Sequence, residues 1–118
     1  MLLLQTPAIG IDRLVVGHRT VLAVTGELDV DTAPELQAAA DAALEAGAYE
    51  LWIDLSGTTF MDSAGVHLLL GLQRRTAELS RRLAIICPAG CVRRLLELTR
   101  LVGVLPVYGD RGAAHRAA

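Results

Sequence analysis

At 118 residues the chain has length for one domain with a single modest core. Its 53% hydrophobic content against 3% aromatics requires a core of Leu, Val, Ile and Ala layers rather than clustered rings. A net charge of −2 and a pI of about 5.8 argue against a nucleic-acid binder held by phosphate neutralisation.

Met1-Leu2-Leu3-Leu4 is too short an apolar run, with no basic flank, to be a signal peptide. No segment approaches the roughly 18 consecutive apolar residues that span a bilayer. The expectation is a soluble, cytoplasmic protein without membrane or nucleic-acid partners. Residues 8–16 and 20–25 are apolar runs of strand composition, joined by a hairpin at Gly17-His18-Arg19. Residues 26–31 then lead out of the sheet. Thr32-Ala33-Pro34-Glu35 predicts a helix start: Thr32 caps the free N–H groups, Glu35 completes a capping box, and Pro34 lies in the first turn. Leu36, Ala39, Ala40, Ala43 and Leu44 form its buried stripe, and Gly47 closes it.

A strand over residues 49–55 follows, then a loop containing Thr59-Phe60-Met61-Asp62-Ser63-Ala64-Gly65, then a helix over 66–79. Residues 82–87 read as a buried strand, broken by Pro88-Ala89-Gly90. A helix over 92–99 takes Leu95, Leu96 and Leu98 as its apolar content, residues 104–108 are a last strand, and 110–118 are a short helix or frayed tail. Cys87 and Cys91 fit neither a redox nor a zinc spacing and are expected as small buried hydrophobes. His18, His67 and His115 are scattered, so no metal site is expected. The pairs Arg74-Arg75, Arg81-Arg82 and Arg93-Arg94 alternate with Glu78 and Glu97 and read as a solvated face. The fold class is α/β: one domain over 1–118, its core about residues 9–108, with a mixed sheet of about four to five strands covered by about four helices.

The chemistry concentrates at Ser63, where a strand hands over to a helix, the usual place for a recognised group in an α/β protein. The helix N-terminus, with free N–H groups and a positive dipole end, suits a negative charge there. Helical spacing puts Ser63, His67, Gly71, Arg74 and Glu78 on one outward stripe. Two alternatives stay open: Gly71 either admits a neighbouring element or leaves the stripe flat for a partner, and either Ser63 or Asp62 caps the helix. Ser63-Ala64-Gly65 is half of a nucleophile elbow with His67 one turn on. Position 61 is Met where that elbow needs Gly, and no orienting acid is evident, so an enzyme is not expected.

Thr25-Gly26-Glu27-Leu28-Asp29, then Ile53-Asp54-Leu55-Ser56, then Phe60-Met61-Asp62-Ser63-Ala64-Gly65-Val66 resemble the STAS domain of bacterial anti-sigma factor antagonists. The resemblance runs from about Ile9 to Tyr108 and implies a partner switch. Unphosphorylated antagonist binds an anti-sigma factor that is also a serine kinase, freeing the sigma factor. Phosphorylation, at the position that is Ser63 here, abolishes binding, and a serine phosphatase restores it. No cofactor is expected on this chain, because the ATP belongs to the kinase. Asp29, Asp62, Ser63, Ala64, Gly65, His67 and Gly71 are the expected partner-binding residues, with Asp29 near Ser63. Many relatives carry a second hydroxyl after the phosphoacceptor; here Ala64 leaves Ser63 alone in the motif. Some STAS domains instead scaffold stressosome-like or lipid-transport complexes, which is the alternative function.

Overall fold

The computed structural model describes residues 9–118; the Met1–Leu4 run and Ala8 lie outside them. Two strands, β1 (Ile9–Val16) and β2 (Arg19–Leu28), form a hairpin whose turn uses Gly17 at φ 59°, a conformation glycine adopts without strain. There follow α1 (Ala33–Glu45), β3 (Glu50–Met61), α2 (Ser63–Glu78), β4 (Arg82–Ile86), α3 (Cys91–Leu98), β5 (Val107–Tyr108) and α4 (Arg111–Arg116). The five strands of the described residues form one sheet in the order β1-β2-β3-β4-β5, and among them only the β1–β2 pair is antiparallel. The mixed α/β sheet expected from the hairpin and the later strand–helix alternation is the sheet observed.

Strand alternation divides the core. Leu22, Val24, Leu51, Ile53, Leu55, Leu83 and Ile85 face α1, α2 and α3, meeting Leu36, Ala40, Leu69, Leu72 and Leu96. Their neighbours Val21, Trp52, Ala84 and Ile86 face the other way and pack with Ala114 of α4. Each fully buried Leu or Ile contributes about 1.5–3 kcal/mol. The helix layer therefore supplies most of the stability, with few rings, as the composition requires.

Several boundaries differ from the sequence reading. β3 does not end at Leu55: it continues through Ser56-Gly57 to Met61, and β2 continues through Gly26 to Leu28. Two register shifts, each placing an extra residue on β3, accommodate the turn-forming residues inside a strand. Gly57 lies so close to β2 that a Cβ there would stand 2.7 Å from Thr25 Cγ2. Around the bulges, the Thr58 and Thr59 hydroxyls donate to the Val24 and Gly26 carbonyls at 3.0 and 3.2 Å, tying β3 to β2. α2 starts at Ser63 rather than Val66, so Asp62 alone separates strand from helix. The last strand shrinks to Val107–Tyr108, preceded by a turn that buries Leu105.

Residues 111–116 are a docked helix rather than a frayed tail. Arg111 Nε donates to Asp54 Oδ2 at 2.7 Å, and Arg82 Nη2 donates to the Ala114 carbonyl at 3.0 Å. Asp54 is buried, which works to raise its pKa. Hydrogen bonds from the Ser56 hydroxyl and N–H and from Arg111 outweigh that, holding the carboxyl below its ordinary value of 3.8. The arginine pairs are not uniformly solvated: Arg81 Nη1 donates to the Leu44 and Ala48 carbonyls at 2.6 and 3.0 Å and so caps the end of α1. Leu98, part of the apolar content of α3, is 72% exposed.

Candidate functional site

Parallel pairing of β2 with β3 puts Leu28 beside Met61 at the C-terminal edge of the sheet. The segments that follow, Asp29 to Thr32 and Asp62-Ser63, therefore leave the sheet side by side, and the Asp62 N–H donates to the Leu28 carbonyl at 3.3 Å. Asp29 thus lies at the same end of the molecule as Ser63. Its carboxylate is committed to the turn: Oδ1 accepts from the N–H groups of Asp31 and Thr32 at 3.0 Å each. The expected capping box at Thr32 does not form. The Thr32 hydroxyl instead donates to the Glu27 carbonyl at 2.7 Å and accepts the Asp29 N–H at 2.9 Å. An Asx-type turn at Asp29 outcompetes the cap, because its carboxylate gathers two N–H groups at once while the Thr32 hydroxyl is spent on the Glu27 carbonyl.

Asp62 is the N-cap of α2, its Oδ1 accepting the Ala64 N–H at 2.9 Å. That resolves which residue caps the helix. Ser63, the first helical residue, is exposed, and among the described residues its hydroxyl makes no hydrogen bond. His67, Arg74 and Glu78 are exposed and Gly71 is half-buried, so the stripe below Ser63 faces solvent. A Cβ added at Gly71 would meet nothing within 4 Å. Among the described residues no element packs closely there, which leaves the reading of Gly71 as a close-approach residue without a neighbour. Among the described residues no carboxylate hydrogen-bonds His67, so the Ser63–His67 pair lacks the orienting acid of a nucleophilic triad.

Gly65 departs from the expected docking set. It is buried, and a Cβ there would lie 2.4 Å from Met61 Cγ and 3.1 Å from Leu28 Cγ. The glycine is needed because the first turn of α2 is pressed onto the ends of β2 and β3, which puts it beneath any surface a partner touches. Ala64 is half-buried and, with Val30, Ala33, Pro34, Gln37, His67 and Leu68, lines an open groove of about 470 Å³ between α1 and α2. Val30, which sequence reasoning did not single out, is 69% exposed there. On the other flank of Ser63, Phe60, Met61, Cys91, Arg94, Leu95 and Leu98 line a second groove of about 300 Å³.

The two cysteines have different fates. Cys87 is buried, which pushes its thiol up to about 11. Cys91, expected in the core, is exposed at the start of α3, where its thiol donates to the Thr59 carbonyl at 3.2 Å.

Residues 14–106 match a family model described as Mlab, STAS domain. The chain belongs to the STAS domain family. Within it, this STAS domain is 31% identical over 84 residues to an anti-sigma-B factor antagonist of Staphylococcus aureus, covering 71% of this chain and 78% of that protein. Its fold superposes with a TM-score of 0.86 on the crystal structure of an anti-sigma factor antagonist from Mycobacterium paratuberculosis, at 28% identity over 97% of each chain. The unphosphorylated form of the anti-sigma factor antagonist SpoIIAA shares the fold at a TM-score of 0.75, with 24% identity over 92% of this chain and 96% of that one. Anti-sigma factor antagonists are thus among the relatives of this STAS domain by sequence and by fold. No helix among the described residues is long and apolar enough to cross a membrane.

Proposed function

We propose that this STAS domain is an anti-sigma factor antagonist switched by phosphorylation of Ser63. In its unmodified state it binds an anti-sigma factor with serine kinase activity and so releases a sigma factor. The observation that carries this reading is a solvent-facing hydroxyl at the head of α2 that the fold does not use, Asp62 having taken over the capping. The chain acts as a binding module, not an enzyme, and works in the cytoplasm. ATP belongs to the kinase, and a serine phosphatase resets the switch.

Phosphorylation adds about −1.5 to −2 charges at Ser63, next to the Asp62 carboxylate. The N-terminal end of α2 accommodates that charge in the free domain, so the fold survives modification. A docked partner meets both the added bulk and the desolvation of a dianion, which costs several kcal/mol. A loss of only about 2.8 kcal/mol weakens binding about a hundredfold, so local blocking suffices.

The test is to incubate the chain with ATP and candidate anti-sigma kinases, map the phosphate by mass spectrometry, and measure binding by calorimetry. Ser63→Ala is expected to bind the partner and escape labelling, and Ser63→Asp to bind at least a hundredfold more weakly. Equal affinity of the wild type and Ser63→Asp refutes the proposal.

A further inference from the structure

A groove lies between the end of β3 and α3, on the flank of Ser63 away from α1. Its wall is unusually apolar for a surface: Phe60 is 47% exposed and Leu98 is 72% exposed, with Leu95 and Cys91 between them. Neither Phe60 nor Leu98 is needed to fill the core, which α3 completes with Val92 and Leu96. Arg94 stands in the same groove, exposed, and forms no ion pair among the described residues. An apolar depression with one free cation matches an apolar side chain that has a carboxylate beside it.

Its position fixes whose side chain that is. Phe60 is three residues from Ser63, so their Cα atoms are at most about 11 Å apart. A standard interface covers about 800 Å² on each partner, a patch about 16 Å in radius. A protein seated with Ser63 near the middle of such a patch therefore extends over Phe60. We infer that the anti-sigma factor docked at Ser63 inserts an apolar side chain, flanked by an Asp or Glu, into the groove formed by Phe60, Cys91, Leu95 and Leu98, with Arg94 receiving the carboxylate. This rests on the proposed Ser63 switch and adds to it a contact that phosphorylation does not touch. The groove sets affinity and orientation, whereas Ser63 sets whether docking occurs.

Calorimetric titration of an anti-sigma factor that binds the wild-type chain tests this with Leu98→Ser, Phe60→Ala, Arg94→Glu and Ser63→Asp, each checked for an unchanged circular dichroism spectrum. Leu98→Ser and Phe60→Ala are each expected to weaken binding about tenfold. Arg94→Glu is expected to weaken it by a similar factor and to flatten its salt dependence. Wild-type affinity in Leu98→Ser and Arg94→Glu, with Ser63→Asp still failing to bind, overturns the groove while leaving the switch intact. Wild-type affinity in Ser63→Asp overturns the switch and removes the reason for seating the partner here. If Leu98→Ser breaks up a self-associated form in sedimentation without changing anti-sigma affinity, the occupant is a second copy of the chain and the inference fails.

Discussion

Gly71 offers a sharp test of the docking stripe, because stability and binding should move in opposite directions there. It sits mid-way along α2, and an added Cβ meets nothing within 4 Å. Gly71→Ala therefore removes only the conformational cost of glycine in a helix interior, about 0.8–1 kcal/mol, with no clash to offset the gain. For a chain of this size that raises the melting temperature by about 3–6 °C. Gly71→Arg should fold equally well, since the same open space receives its longer side chain. That side chain projects from the flat stripe one and two turns below His67 and Ser63, and should weaken anti-sigma factor binding at least tenfold, about 1.4 kcal/mol. Differential scanning calorimetry on both variants, followed by titration with the partner, reads the two effects separately. A lowered melting temperature in Gly71→Ala would mean that a neighbour packs on this face after all. Undiminished binding by Gly71→Arg would remove the stripe from the interface.

Asp62→Ala should lose the α2 cap and about 1 kcal/mol of stability, with Asp62→Asn largely retaining both; equal urea midpoints for Asp62→Ala and wild type would refute the cap assignment. The Asp54 carboxyl, held below 3.8 by Ser56 and Arg111, contributes stability that is fully present above that value and lost as pH falls through the folded-state pKa. The stability gap between wild type and Asp54→Asn should therefore narrow from pH 7 to about pH 3 in urea titrations, and a constant gap would contradict it. With its pKa raised to about 11, buried Cys87 should resist alkylation of the native protein near neutral pH, leaving Cys91 as the labelled thiol; mass spectrometry of the iodoacetamide product checks this.

The alternation of strands and helices, the hairpin at Gly17 and the outward stripe of α2 were legible because each depends on local periodicity or a single turn residue. The end of β3 was not. Ser56-Gly57 carries the chemistry of a turn, and only pairing with β2, set by tertiary context, holds those residues extended through two bulges. Thr32 illustrates the same competition on a smaller scale: the capping box was a sound local reading, but Asp29 three residues earlier offered the backbone a better acceptor. The role of Gly65 was hidden because glycine in a motif signals either an open surface or a crowded interior, and only the position of Met61 decides between them. Cys91 was placed inside by its residue type, although α3 has just one face on the core. The tail could not be seen to dock, since its anchors Asp54 and Arg111 are 57 residues apart.

The division of labour between Asp62 and Ser63 has a consequence beyond the interface. Because the neighbouring carboxylate secures the helix start, esterifying the serine under the proposed switch would leave that cap in place. Proteases that sample the unfolded chain would then meet both forms to a similar extent, so flipping the proposed switch would change the active share of the protein more than its total amount.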